Sequence, residues 1–172
     1  MMALLRACTD GTIPAQALRV VAPRKGTEAA LNAGDTEVVV VEPGDDYGPR
    51  LVEALRGATV VCLAGFTRIL PSEVLRAFPG RVLNIHPSLL PRHGGKGMYG
   101  RYVHEAAIAA GDAESGCTVH LVSEVYDEGP VVLQMRCAVE KEDTPETLAA
   151  RVLQLEHVVY PRAVALILEG RP

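Results

Sequence analysis

Four short apolar runs, Leu18 to Ala22, Glu37 to Val41, Thr59 to Leu63 and Val82 to Ile85, alternate with stretches of helical character. Each run is too short for a helix and too continuously apolar for a strand with one wet face. Strands of that kind are buried on both sides, which requires a parallel sheet covered by helices. The chain is therefore expected to be α/β, with a mostly parallel, doubly wound, Rossmann-like sheet and helices on both faces. In such sheets ligands bind beyond the carboxyl ends of the strands. Gly65 to Leu70 and the residues after Ile85 lie at such ends.

The segments between the runs carry helix signals. Met1 to Cys8 reads as a helix that begins without an N-cap residue and without a strand leading into it. Thr27 to Ala33 is a short helix stopped by Gly34. Gly48 to Arg56, Pro71 to Phe78 and Arg101 to Ala110 are helices as well. Gly116 to Ser123 and Val131 to Val139 read as strands joined by an acidic, hairpin-like connection. Thr144 caps a last helix with Pro145 at its first position. Leu148, Val152, Leu155 and Val159 form its core stripe. Pro161 should kink or interrupt that helix.

The 172 residues suit one domain, 1–172. The net charge is −4 and no basic stripe occurs, so nucleic acid is not an expected partner. No apolar run is long enough for a membrane span and no signal peptide is evident. Cys8, Cys62, Cys117 and Cys137 fit no zinc spacing and read as reduced thiols of a cytoplasmic protein.

Chemistry concentrates at the end of the fourth run. Asn84 and His86 are two residues apart, so in a strand they share a face, while Leu83 and Ile85 face a core. Pro87 then stops the ladder. An amide can donate a hydrogen bond to a developing oxyanion, and an imidazole can donate or shuttle a proton. An isolated Asn-x-His is also compatible with a strand end and a satisfied core histidine. Asp127, in the connection between two strands, is the best candidate to orient His86 and raise its pKa, and is otherwise a turn residue. Residues 92–100 form a basic, glycine-rich loop that lacks the Walker pattern; it would cover a site, contact an anionic ligand or remain a surface loop. His120 is expected in the interior or near the site. His93, His104 and His157 have no evident partner. Arg68 is a ligand contact or a surface arginine.

The stretch Asn84-Ile85-His86-Pro87-Ser88-Leu89-Leu90-Pro91 resembles the signature of the formyltetrahydrofolate-dependent formyltransferases. Ser115 to His120 and Tyr126 to Gln134 resemble that family's downstream signature with its aspartate. Leu155 to Pro161 is similar to the tail of the branch acting on glycinamide ribonucleotide in purine synthesis, and residues 94–100 to a longer form of its loop. The resemblance covers most of the chain. It implies formyl transfer from 10-formyltetrahydrofolate, without a metal, to the amine of glycinamide ribonucleotide. Asn84 and His86 would donate hydrogen bonds to the formyl oxygen, and Asp127 would polarise His86 and help move the proton. Thr67, Arg68, Ile69 and Leu70, with Asn84, Ser123, Glu124, Val125, Tyr126 and Asp127, would line the folate pocket. Glu156 would bind the ribose hydroxyls. The partners are these small molecules, with no nucleic acid or membrane, and the protein would be a monomer or homodimer.

The family opens with a strand and a Gly-x-Gly-Ser-Asn loop whose amides hold the substrate phosphate. This sequence begins inside the helix that follows. The expectation is a start upstream of Met1; the alternative is loss of the phosphate site. Two other readings stand beside the main one. The first is a relative with the same folate pocket, a hydrolase or another formyltransferase. A hydrolase would carry an N-terminal regulatory domain, and a methionyl-tRNA formyltransferase a long C-terminal domain and a basic surface. The second is a truncated, non-catalytic folate-binding protein.

Overall fold

A computed structural model describes residues 1–170. The chain order is α1 (Met2–Thr9), β1 (Val20–Ala22), α2 (Glu28–Leu31), β2 (Val38–Val40), α3 (Tyr47–Ala54), β3 (Val61–Leu63), α4 (Ser72–Ala77), β4 (Val82–His86), α5 (Arg101–Ala109), β5 (Glu114–Leu121), β6 (Val131–Ala138) and α6 (Pro145–Leu168). The four apolar runs are strands and each paired set among them is parallel: β1 with β2, and β3 with β4. From β4 onward the pairing is antiparallel, in the order β3-β4-β5-β6. Among the described residues β1 and β2 form a sheet of their own.

Alternation along β4 sorts its side chains onto two faces. Leu83 joins a core with Cys117 and Val119 of β5, Leu4 and Ala7 of α1, Ala107 of α5 and the stripe of α6. Val82 joins a second core with Val61, Leu51 and Ala54 of α3, and Val74 of α4. Helices thus cover both faces of the β3-β4-β5-β6 sheet, whereas β2 departs from the expectation of full burial, with Val38 exposed. The site grows from the Val82 face, because Asn84 and His86 continue it.

α6 is the longest element. Thr144 and Thr147 cap its start reciprocally: each side-chain oxygen accepts from the other's backbone N–H. Leu148, Val152 and Val159 are fully buried, and Leu155 packs half-buried against them. The expected interruption at Pro161 does not occur; the helix runs through it to Leu168. Tyr160, Pro161, Ala163 and Val164 are buried there, so packing outweighs the one lost backbone hydrogen bond. The Tyr160 hydroxyl sits between two carbonyls, 2.8 Å from Leu63 O and 3.0 Å from Leu83 O. It ties α6 to the ends of β3 and β4 and satisfies a buried polar group. Leu148→Ala should lower unfolding free energy by about 2–5 kcal/mol in urea titration, because that side chain is wholly enclosed.

Candidate active site

β5 brings a second histidine to β4. Asn84 pairs with His120 and His86 with Thr118. An irregular register between Val119 and His120 re-aims the end of β5. His120 is buried, and its Nδ1 lies 3.0 Å from Leu121 O. A carbonyl oxygen only accepts, so Nδ1 carries the hydrogen and Nε2 of the neutral ring is an acceptor. The Asn84 Nδ2 amide donates to that Nε2 over 3.1 Å. His120 thereby fixes which way the Asn84 amide points and leaves one Nδ2 hydrogen for a ligand.

The loop after β5 returns over the same face and delivers Asp127. Asp127 takes a left-handed conformation, φ 57°, the turn geometry that Asp tolerates. Gly129 lies so close to β5 that a Cβ there would fall 1.7 Å from Leu121 O. Only glycine permits this approach, which sets how near Asp127 comes to the histidines. Asp127 Oδ2 lies 3.5 Å from His86 Nδ1 and Oδ1 lies 3.6 Å from His120 Nε2. Oδ2 also accepts the Gly95 N–H at 2.9 Å. Burial raises the Asp127 pKa, the Gly95 N–H that the carboxylate accepts works against it, and the carboxyl is held below its usual range. His86 is 4% exposed, and burial pulls its pKa below the ordinary value despite the opposing Asp127 charge. The resting pair is therefore a neutral imidazole facing a carboxylate.

His86 Nε2 donates to His93 O at 2.8 Å. Nε2 is thus occupied, and Nδ1 is the nitrogen open to the Asp127 side. The sequence expectation had His86 donating to the substrate oxygen; in this arrangement it does so only after Nδ1 gains a proton.

The remaining expected site residues divide. Thr67, Arg68 and Ile69 are exposed on the loop after β3, whereas Leu70 is buried in the α3–α4 core and offers only its backbone. The Ser123 hydroxyl donates to Val125 O and closes a tight turn. Glu124 and Val125 are exposed beyond it and Tyr126 is half-buried. Ile69 and Val125 are the large exposed apolar side chains of these two loops. A cavity of about 350 Å³ is lined by Leu90, Pro91, Asp127 and Val131.

Glu156 belongs to another cavity, about 460 Å³, between α5 and α6 and reaching Pro87. His104, Leu153 and Glu156 line it. Burial pushes the Glu156 carboxyl up to about 7, with the Met1 amine pulling the other way. His104 is 4% exposed and its Nδ1 has no hydrogen-bond partner among the described residues. Glu156 and Asp127 thus line different cavities, and Pro87, next to His86, belongs to the one with Glu156. Sequence reasoning left His93 and His104 without roles. The acidic partner of His93 is Asp112, 19 residues away, and no local pattern marks it.

A family model described as formyl transferase matches residues 1–164. The chain belongs to the formyl transferase family. It is 42% identical, over 95% of its length, to a chloroplastic phosphoribosylglycinamide formyltransferase of Arabidopsis thaliana, and spans 60% of that protein. It is 32% identical to the phosphoribosylglycinamide formyltransferase of Haemophilus influenzae, covering 99% of this chain and 82% of that one. Among solved structures, glycinamide ribonucleotide transformylase 1 of Symbiobacterium toebii matches with a TM-score of 0.89 and 38% identity, covering 99% of this chain and 82% of that one. The mixed sheet with helices on both faces is therefore the formyl transferase fold. No helix among the described residues is long and apolar enough to cross a membrane.

Proposed function

We propose that residues 1–172 act as a single formyltransferase domain. The domain moves the formyl group of 10-formyltetrahydrofolate to the amine of glycinamide ribonucleotide in purine biosynthesis. The observation that carries this reading is the cluster at the end of β4, where Asp127 lies 3.5 Å from His86 Nδ1 and 3.6 Å from His120 Nε2, the nitrogen that also meets the Asn84 amide. The similarity to proteins named for this reaction supports the choice of substrates.

The amine attacks the formyl carbon and its carbonyl oxygen becomes an alkoxide. Asn84 donates its free Nδ2 hydrogen to that oxygen, a contribution of about 3 kcal/mol for one such donor. The attacking nitrogen gives up a proton, which His86 Nδ1 accepts, directly or through one water. Asp127 stabilises the imidazolium so formed, and Nδ1–H then reaches toward the oxyanion. When the carbon–N10 bond breaks, the same proton passes to N10 of the folate. One C–N bond forms, one breaks, and the proton balance closes without an external acid.

The loops carrying Ile69 and Val125 offer apolar cover for a pterin ring. Glu156 accepts hydrogen bonds from ribose hydroxyls in the α5–α6 cavity. All of these groups come from one chain, so a monomer suffices. The four cysteines are free, consistent with a cytoplasmic setting.

The test is a transfer assay on this chain with both substrates, following release of tetrahydrofolate. Formyl transfer is the expected result. Binding of folate without transfer, when the nucleotide is present, would overturn the proposal.

Glu156 gives an independent check. Burial raises its pKa from the ordinary 4.5 to about 7, so the fold favours the protonated form. The stabilisation is complete below about pH 4.5 and fades as pH rises through about 7. Glu156→Gln should therefore melt at a higher temperature than the parent at about pH 8 and at the same temperature at about pH 4. In the transfer assay it should raise KM for the nucleotide about tenfold with little change in kcat.

A further inference from the structure

The bond from His86 Nε2 to the His93 carbonyl rests on an anchor outside the catalytic trio. His93 sits at φ 51°, a left-handed conformation that residues with side chains disfavour. Its own ring explains why it stays there. His93 Nε2 lies 2.7 Å from Asp112 Oδ2, and both side chains are largely enclosed. Asp112 in turn is fixed at the end of α5, its N–H donating to Ala107 O. On the other side the Ser88 hydroxyl donates to Arg92 O at 2.6 Å. Residue 93 is thus held through its ring and through the peptide that precedes it. Gly95, two residues on, gives its N–H to Asp127. One short segment therefore touches both members of the His86–Asp127 pair.

We infer that His93, anchored by Asp112, is a positioning residue that sets the tautomer of His86 and makes Nδ1 its working nitrogen. The reasoning is one of donor and acceptor types. The carbonyl cannot donate, so a ring bonded to it must carry its hydrogen on Nε2. In the neutral ring Nδ1 is then a bare lone pair facing the Asp127 carboxylate. This is an arrangement of two acceptors that is uncomfortable at rest and is relieved when a proton arrives on Nδ1. Without the carbonyl, the preferred neutral tautomer would place hydrogen on Nδ1, donating to Asp127. A base in that state has no lone pair on the side where the proton has to be received. The wrong tautomer is a known way to disable a histidine whose position is otherwise correct.

This inference rests on the proposed role of His86 as proton acceptor, but its first readout does not depend on activity. The test is nitrogen NMR of protein labelled in histidine, which reports which ring nitrogen of His86 is protonated, run together with the transfer assay. In the parent chain His86 should be protonated at Nε2 and bare at Nδ1. In Asp112→Ala the tautomers should mix, and kcat should fall about 10- to 100-fold with KM for both substrates nearly unchanged. Asp112→Asn keeps an acceptor for the His93 ring and should restore most of both signals. His93→Gly keeps the carbonyl and accepts the positive φ without strain, so it should still fold, yet lose the tautomer preference with its anchor. A parent His86 protonated at Nδ1 would overturn the inference. So would an Asp112→Ala or His93→Gly protein with the parent tautomer and parent kcat, because Ser88 and Arg92 alone would then hold the carbonyl. If the parent tautomer is as expected and the chain transfers no formyl group, the functional reading fails while the positioning role of His93 stands.

Discussion

Asp127→Asn is expected to lower kcat for formyl transfer by about 10³-fold, with the fold intact and KM for each substrate little changed. The substitution is nearly isosteric. Its Oδ can still accept the Gly95 N–H that Asp127 accepts at 2.9 Å, so the loop keeps its place. What disappears is the negative charge 3.5 Å from His86 Nδ1. That charge matters because burial already pulls the His86 pKa below 6.5 and Asp127 is the largest opposing influence. With the carboxylate removed, the pKa falls further, and the imidazolium needed in the middle of the reaction becomes harder to form.

The pH profile gives the sign. A general base must be unprotonated to act, so kcat/KM of the parent should rise with pH through a value below 6.5 and then level off. In Asp127→Asn the same limb should move to lower pH while the plateau drops. Steady-state assays across the acid range would show it. A variant with the parent plateau would remove Asp127 from the mechanism.

Asn84→Ala is expected to lower kcat by about 10²- to 10³-fold, the usual cost of losing one preorganised oxyanion donor. Folding should suffer less, since Asn84 is half-buried and its partner can rearrange. The donor is preorganised because His120 holds the amide nitrogen at 3.1 Å. Asn84→Asp makes a sharper comparison at almost constant volume. It replaces the donor with a carboxylate that repels an oxyanion, so its kcat should be lower still than that of Asn84→Ala. The two variants ranked the other way would mean that the oxygen is stabilised elsewhere. Equilibrium binding of a folate analogue to both proteins separates lost binding from lost catalysis.

The local physics of this chain is readable along the sequence. Short continuous apolar runs that alternate with helical stretches point to a helix-covered, mostly parallel sheet, so the α/β architecture follows from Leu18 to Ile85 without knowledge of any contact, although β2 ends with Val38 exposed. The period of two places Asn84 and His86 on one face, and Pro87 ends the strand there. The Thr144-Pro145 cap and the α6 stripe are equally local. The interruption expected at Pro161 does not occur because a propensity is weighed against packing, and the packing of Tyr160, Ala163 and Val164 is a tertiary quantity.

What only the tertiary structure decided is everything that depends on register and return paths. Asn84 meets His120 across 36 residues of chain because β5 pairs antiparallel with β4 in one register; a shift by a single residue would turn His120 to the other face. Asp127 reaches the histidines because Gly129 lets a loop close onto β5, and His93 meets Asp112 because α5 folds back beside the loop before it. Side-chain type and spacing state which groups are capable of the chemistry. The hydrogen-bond partners that choose tautomer, amide orientation and proton path come from segments far apart in sequence, and only the folded chain brings them together.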